Sequence, residues 1–243
     1  MKSLFTIIII INTCFAINNN TTQFCSRCPA VFGLGHQKSG TTTILVALGS
    51  ASKLTVQNDV PGFWNQKNLT DDEVCKSLHS NTQIQKEGHA WKYLTILKRI
   101  CPNMTFYVIE RKPLHIIRSV ADRLNIIPEE GCESALNTMP KAWKPLFRFS
   151  NDTSCLVRLA SSVSHMTQFL ESEVPKAVRI RYEDYVASPA TAISKLCDSL
   201  EFACNTTHLD LSQQQRRGKN HGKNISLLWP HTFIDRINIV LNI

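Results

Sequence analysis

The chain has 243 residues, of which 43% are hydrophobic and 19% charged, a composition typical of a globular protein with one sizeable core. It contains no low-complexity tract, internal repeat or long Pro/Gly linker, which excludes a disordered, fibrous or repeat protein. The formal net charge of +8 favours an anionic cofactor or substrate. Nucleic acid is not expected as a partner, because no zinc-finger spacing, basic helix or aromatic-rich binding motif accompanies this charge.

The first 16 residues are typical of a secretory leader. Lys2 precedes the apolar run Leu4–Ile11, and small residues at the end suit cleavage. A bilayer span needs about 20 residues, so we predict a signal peptide over 1–16, with a short uncleaved signal anchor as the alternative. A flexible lead-in over 17–28 and a single domain over 29–243 follow. The expected location is the secretory pathway: the Golgi lumen or membrane, or outside the cell.

Asparagine sequons and cysteines indicate the same compartment. Eight cysteines follow the leader, an even number that favours disulfides. Proximity suggests Cys132 with Cys155 and Cys197 with Cys204, although other connectivities stay open. The Cys25–Cys28 pair predicts structural bridging, with a redox pair or half of a zinc site as alternatives. Seven asparagines begin an Asn-x-Ser/Thr sequon: Asn19, Asn20, Asn68, Asn103, Asn151, Asn205 and Asn224.

In the first half of the domain, the sequence predicts alternating strands and helices. A strand around Ala30–Phe32 leads through a loop into a helix that begins at Thr41 or Thr42. Residues 52–85 look irregular and are where substrate loops would lie. A helix over Tyr93–Ile100 and a buried strand over Thr105–Ile109 follow.

The second half continues the alternation. A helix has Pro113 in its first turn, residues 128–152 look loop-rich, and apolar spacing predicts a helix over 154–171. The strand Val178–Tyr182 precedes a helix with Pro189 at its first position. We therefore predict an α/β, three-layer P-loop-like fold, with a central parallel sheet flanked by helices and ligands bound beyond the carboxyl ends of the strands.

The run from Gly35 to Thr42 reads Gly-His-Gln-Lys-Ser-Gly-Thr-Thr and predicts a phosphate cradle. Glycines allow close approach of backbone N–H groups to an anion, and the next helix adds its N-terminus. Lys38 precedes the second glycine, whereas a nucleotide-triphosphate loop has Gly-Lys-Ser/Thr after four spacer residues. This order resembles the 5'-phosphosulfate loop of sulfotransferases, which use 3'-phosphoadenosine-5'-phosphosulfate (PAPS). The resemblance implies that the cofactor contacts Gly35, Lys38, Ser39, Gly40, Thr41 and Thr42, with Lys38 at the bridging and 5'-phosphate oxygens.

Further segments resemble the same family. Its members place an arginine at a strand end and a serine eight residues later to bind the 3'-phosphate, and Arg111 and Ser119 have that spacing. Arg216-Arg217-Gly218 is similar to the basic clamp over that phosphate, with a solvated basic turn as the alternative. Arg181-Tyr182-Glu183-Asp184 resembles a structural segment, so we interpret Glu183 and Asp184 as fold-holding groups rather than catalysts.

The general base has several candidates. Carbohydrate-modifying members of the family place a glutamate about two dozen residues after the loop, where this chain has Asp59 without the usual preceding lysine. Cytosolic members use a histidine before the arginine strand, as His89 stands here. His36 is a third candidate, and each is also read simply as a loop residue.

The resemblance therefore implies a Golgi-type or secreted carbohydrate sulfotransferase. Its reaction would move a sulfuryl group from PAPS to a hydroxyl of a glycan or glycoconjugate, with protein tyrosine as a lesser alternative. No metal is expected, and membrane contact is expected only if the leader is an uncleaved anchor. The alternatives are a catalytically inactive glycan- or nucleotide-binding protein of the same fold and a P-loop kinase-like phosphotransferase.

Overall fold

The computed structural model describes residues 24–58, 68–86, 90–127, 131–139, 143–209 and 231–241. Its centre is a five-stranded, all-parallel sheet in the order β2-β3-β1-β4-β5. This confirms the predicted central parallel sheet flanked by helices. The strands are β1 Val31–Gly35, β2 Val56–Asn58, β3 Ile84–Lys86, β4 Thr105–Glu110 and β5 Val178–Arg181.

Helices cover both faces of the sheet. Among the described residues they are α1 Thr41–Ser52, α2 Asp71–Ser77, α3 Leu94–Ile100, α4 Pro113–Leu124, α5 Cys132–Thr138, α6 Cys155–Glu173, α7 Tyr182–Ala187, α8 Pro189–Ser199 and α9 His231–Leu241. Short 3₁₀ turns occupy Ala90–Tyr93, Lys144–Phe147 and Thr206–His208.

The central strand β1 is buried on both faces, and its side chains alternate between two cores. Phe32 and Leu34 belong to the apolar cluster that includes α3 and the end of α6. Val31 belongs to the cluster on the opposite face, with α1 and α8. Because every second side chain of a strand faces the same way, β1 fixes the phosphate loop that follows it between two packed layers.

The region predicted to be irregular, 52–85, contains regular structure in its described parts. β2 and β3 are only three residues each, too short for an alternating pattern, and Asn58 and Lys86 end them. α2 begins with a capping box in which Thr70 accepts from the Glu73 N–H and Glu73 accepts from the Thr70 N–H. The loop-rich prediction for 128–152 is likewise incomplete, since α5 lies there.

Four disulfides cross-link the chain. Cys132–Cys155 and Cys197–Cys204 are the pairs expected from proximity. The two remaining bridges, Cys25–Cys75 and Cys28–Cys101, tie the segment before β1 to α2 and to the end of α3. The sulfurs of Cys25, Cys28 and Cys101 lie within 4.8 Å of one another, but each is bonded, which confirms structural bridging over the zinc interpretation.

Within the described ranges, no helix combines the length and the apolar character that crossing a bilayer requires. The predicted leader, 1–16, lies outside those ranges.

Candidate functional site

The loop between β1 and α1 forms a tight cradle at the carboxyl edge of the sheet. The Ser39 N–H donates to the His36 carbonyl at 3.0 Å, and Lys38 takes a left-handed φ of 67°. A side-chain carbon added at Gly35 would lie 2.8 Å from Ser39 Oγ. The loop is therefore closed enough to require glycine at 35.

Gly40 begins α1 and lies directly against the ring of Tyr182, the first residue of α7. A side-chain carbon added at Gly40 would collide with that ring, and the φ of Gly40 is 97°. The guanidinium of Arg111 lies on the same ring, with 4.9 Å between the guanidinium carbon and the ring centroid. Tyr182 therefore joins the phosphate loop to the end of β4.

Arg111 also contacts the loop directly. Its Nη1 donates to the main-chain oxygen of Lys38 at 2.6 Å, while its Nε is buried without a hydrogen-bond partner. Burial is the main cause that lowers the pKa of the Arg111 guanidinium from its ordinary value, yet an arginine at neutral pH remains charged. The strand-end arginine and the loop lysine therefore belong to one site.

The other residues of the loop that were predicted to contact the cofactor belong to the same site. Ser39 is fully buried, and its Oγ has no hydrogen-bond partner. Thr41 is buried, and Thr42 is half-buried with its hydroxyl donating to Asn58 Oδ1 at 3.3 Å. The Nζ of Lys38 lies 6.0 Å from the centroid of the Trp143 ring. The cradle thus offers one cation, hydroxyls and the N-terminus of a helix of 12 residues.

Two residues of the site, Asn58 and Lys86, were not predicted from the sequence. Asn58 Oδ1 accepts from Lys86 Nζ at 3.2 Å as well as from Thr42, which links the ends of β2 and β3 to the start of α1. Lys86 is only 4% exposed, and this buried lysine at a strand end adds a cation to Lys38 and Arg111 at the sheet edge. The signal in the sequence was a lysine three residues before the candidate base His89. Its burial could not be predicted, because it depends on strands that are too short to recognise.

His36 is a poor proton acceptor. Burial lowers the pKa of its ring to about 4, partly offset by a hydrogen-bond contact between Nδ1 and the Gln37 carbonyl at 2.8 Å. The ring is therefore neutral at pH 7, and a base this weak has little driving force to remove a hydroxyl proton. This argues against His36 as the general base.

Several predicted site residues lie outside the described residues. They are the candidate bases Asp59 and His89 and the basic clamp Arg216, Arg217 and Gly218. Ser119 is described and lies half-buried on α4, eight residues after Arg111.

Glu183 holds the start of α4. Its Oε1 accepts from the Lys112 N–H at 2.9 Å and lies 3.5 Å from His115 Nδ1. A carboxylate at a helix N-terminus stabilises the unpaired N–H groups there. This contact agrees with the interpretation of Glu183 as a fold-holding group.

No protein-family model and no curated protein sequence matches this chain, but solved structures do. A sulfotransferase from Alicyclobacillus acidocaldarius matches with a TM-score of 0.50 and 10% identity, over 88% of this chain and 96% of its own. The sulfotransferase domain from the curacin biosynthetic pathway matches with a TM-score of 0.49 and 16% identity, over 89% and 98%. Retinol dehydratase in complex with androsterone and inactive cofactor PAP matches with a TM-score of 0.41 and 14% identity, over 73% and 61%.

The first of these matches shows that the chain has the fold of a sulfotransferase. At 10% identity the likeness establishes the architecture, and an activity has to be argued from the site itself.

Proposed function

We propose that this protein transfers a sulfuryl group from PAPS to a hydroxyl group of a glycan in the secretory pathway. The observation that carries the proposal is the 2.6 Å hydrogen bond from Arg111 Nη1 to the Lys38 carbonyl. It unites two elements, each with its own anion-binding character, at the carboxyl edge of a parallel sheet. Ligands of open α/β folds bind at that edge.

The residues present fit a bisphosphorylated nucleotide. Buried Ser39 Oγ and Arg111 Nε have no hydrogen-bond partner among the described residues, and leaving buried polar groups unsatisfied is costly unless a ligand supplies the missing bond. Lys38, Ser39, Thr41 and Thr42 would hold the 5' end of the donor. Arg111 and Ser119 would hold its 3'-phosphate, because guanidinium groups suit bidentate phosphate contacts.

PAPS supplies a sulfuryl group bonded to a phosphate that can leave. Lys38 would offset negative charge on that phosphate, an electrostatic role of the oxyanion-hole type. Lys86 adds a further positive charge at the neighbouring strand end. The proton of the attacking hydroxyl goes to Asp59 or His89, the two candidate bases that remain without His36.

The secretory location has separate support. The four sequon asparagines in the described residues, Asn68, Asn103, Asn151 and Asn205, are all exposed and so accessible to glycosylation. Four disulfides suit an oxidising compartment.

Two measurements on the full-length secreted chain test the proposal. Isothermal titration with PAP and with ATP should show tight binding of PAP only. Transfer from labelled PAPS to a glycan panel should fall about 10²-fold in Lys38→Ala and stay unchanged in Lys195→Ala, which removes an exposed lysine of α8. Equal affinity for ATP, or full turnover by Lys38→Ala, would overturn it. PAP binding without transfer to any acceptor would indicate the inactive binding protein instead.

A further inference from the structure

Four ring-bearing side chains, Trp91, Phe149, Phe169 and His165, lie close together. The ring of Trp91 lies 6.3 Å from that of Phe149 and 5.9 Å from that of Phe169, centroid to centroid. Phe149 lies 4.6 Å from the His165 ring, with only 31° between the ring planes. Phe169 and Trp91 are half-buried, whereas Phe149 and His165 are exposed. The cluster therefore has a packed base and a solvent-facing apolar surface.

Two cations border this surface without a carboxylate partner. Lys92 Nζ lies 5.8 Å from the centroid of the Trp91 ring, and Arg148 directly precedes Phe149. Both side chains are exposed, and the described residues provide neither with an ion pair. Partial desolvation of the Lys92 ammonium beside Trp91, followed by the like charge of Arg148, lowers the pKa of Lys92. By contrast, Lys98 and Arg99 each form an ion pair.

Positive charges that lie close together without compensation repel each other, and an anion placed between them relieves that repulsion. We call Trp91, Lys92, Arg148, Phe149 and His165 the aromatic–cation patch. In the part of the chain that the structure describes, exposed ring atoms of Phe149 and His165 and two cations without an ion pair belong to the same patch. A ligand that uses both needs an apolar face and an acidic group on the same unit.

The patch connects to the phosphate loop through one short segment. Trp143, whose ring lies 6.0 Å from Lys38 Nζ, begins the segment, and the 3₁₀ turn Lys144–Phe147 leads to Phe149. Phe149 follows Trp143 by six residues, and Trp91 follows the end of β3 by five. Short stretches of chain therefore connect the patch to the ring beside Lys38 and to the end of β3.

We propose that the aromatic–cation patch binds an acidic saccharide unit of the acceptor glycan, next to the sugar that receives the sulfuryl group. The C–H face of the sugar packs on Phe149, and its carboxylate or sulfate group lies between Lys92 and Arg148. This inference rests on the proposed function. An acidic peptide would use the two charges but would leave the broad aromatic face without a matching surface.

Titration with size-matched tetrasaccharides tests the assignment on the full-length secreted chain with PAP present. The probes are a chondroitin tetrasaccharide with carboxylates, its carboxyl-reduced neutral form, and a keratan sulfate tetrasaccharide with sulfates only. We expect one or both acidic probes to bind at least about tenfold more tightly than the neutral one, and to weaken as salt is raised. The preferred acidic probe distinguishes carboxylate from sulfate recognition.

The variants separate the patch from the cradle. Lys92→Gln with Arg148→Gln should reduce the affinity for the acidic probe to that for the neutral one, and Phe149→Ala should weaken both. Lys195→Gln is the matched control, and PAP affinity should stay unchanged in every variant.

Equal affinity for acidic and neutral probes would overturn the inference. So would tighter binding of an acidic tyrosine peptide that depends on the same two cations. Failure of PAP to bind would overturn the proposed function, while the saccharide titration would still decide what the patch binds.

Discussion

The ring of Tyr182 occupies the space that a side chain at position 40 would need, so Gly40 and Tyr182 can pack only because residue 40 is glycine. The same ring supports the Arg111 guanidinium. The segment containing Tyr182, interpreted from the sequence as structural, therefore also holds the Gly35–Thr42 loop against the end of β4.

Gly40→Ala should destabilise the protein by about 2 kcal/mol or more, because alanine pays for a left-handed φ and also displaces the Tyr182 ring. Urea unfolding measures this cost. Gly131→Ala is the matched control: its added carbon meets nothing within 4 Å, and it should cost less than about 1 kcal/mol. Equal costs for the two variants would show that the packing of Tyr182 is not what requires glycine.

Arg111→Lys should weaken PAP binding by about tenfold or more. Lysine keeps the charge but loses both the planar stacking on Tyr182 and the fork of donors. Arg179→Lys, which alters an arginine paired with Glu110 on the neighbouring strand, should leave PAP affinity unchanged. Titration calorimetry makes the comparison, and unaltered affinity in Arg111→Lys would remove Arg111 from the phosphate site.

The buried ring of His36 should make stability depend on pH. Its pKa of about 4 in the folded protein lies below the ordinary 6.5, so between these values the unfolded chain binds more protons. Its contribution is fully present above pH 6.5, is lost as pH falls, and is exhausted near pH 4. The total is about 3 kcal/mol. The free energy of unfolding, measured with urea across this pH window, should vary less steeply with pH in His36→Gln than in the unaltered protein. The matched control is His79→Gln, which alters an exposed histidine and should keep the pH dependence of the unaltered protein. If the free energy of unfolding of His36→Gln depended on pH as steeply as that of the unaltered protein, the burial of that ring would be contradicted.

The disulfides should contribute different amounts to the free energy of unfolding, according to the length of chain that each one closes. Cys28–Cys101 spans a sequence separation of 73 and Cys197–Cys204 one of 7. Chain entropy in the unfolded state then makes loss of the longer bridge costlier by about 2 kcal/mol. Paired Cys→Ser variants compared by urea unfolding measure the difference, and a larger cost for the shorter bridge would point to native-state packing instead.

Sequence reasoning succeeded where local rules act strongly. Thr41 at the start of α1, the uncharged run of β4 and the proline at the start of α4 predicted those elements closely, and the structure confirms them. Strong local signals of this kind depend on neighbours along the chain, so they can be read without knowing the fold.

Prediction from the sequence failed where contacts depend on distant parts of the chain. Asn58 and Lys86 end strands of three residues, which have no period to detect. The packing of Tyr182 on Gly40 joins residues far apart in the sequence, so no local pattern announces it. Such contacts are decided by the order of strands in the sheet.

The bridges of Cys25 and Cys28 also affect how the protein is made. Both thiols leave the ribosome before Cys75 or Cys101 has been translated, and they stand close enough to pair with each other. We therefore expect maturation to pass through shuffling of a premature bridge, and production in a host without a disulfide isomerase to yield isomers trapped at this end of the chain.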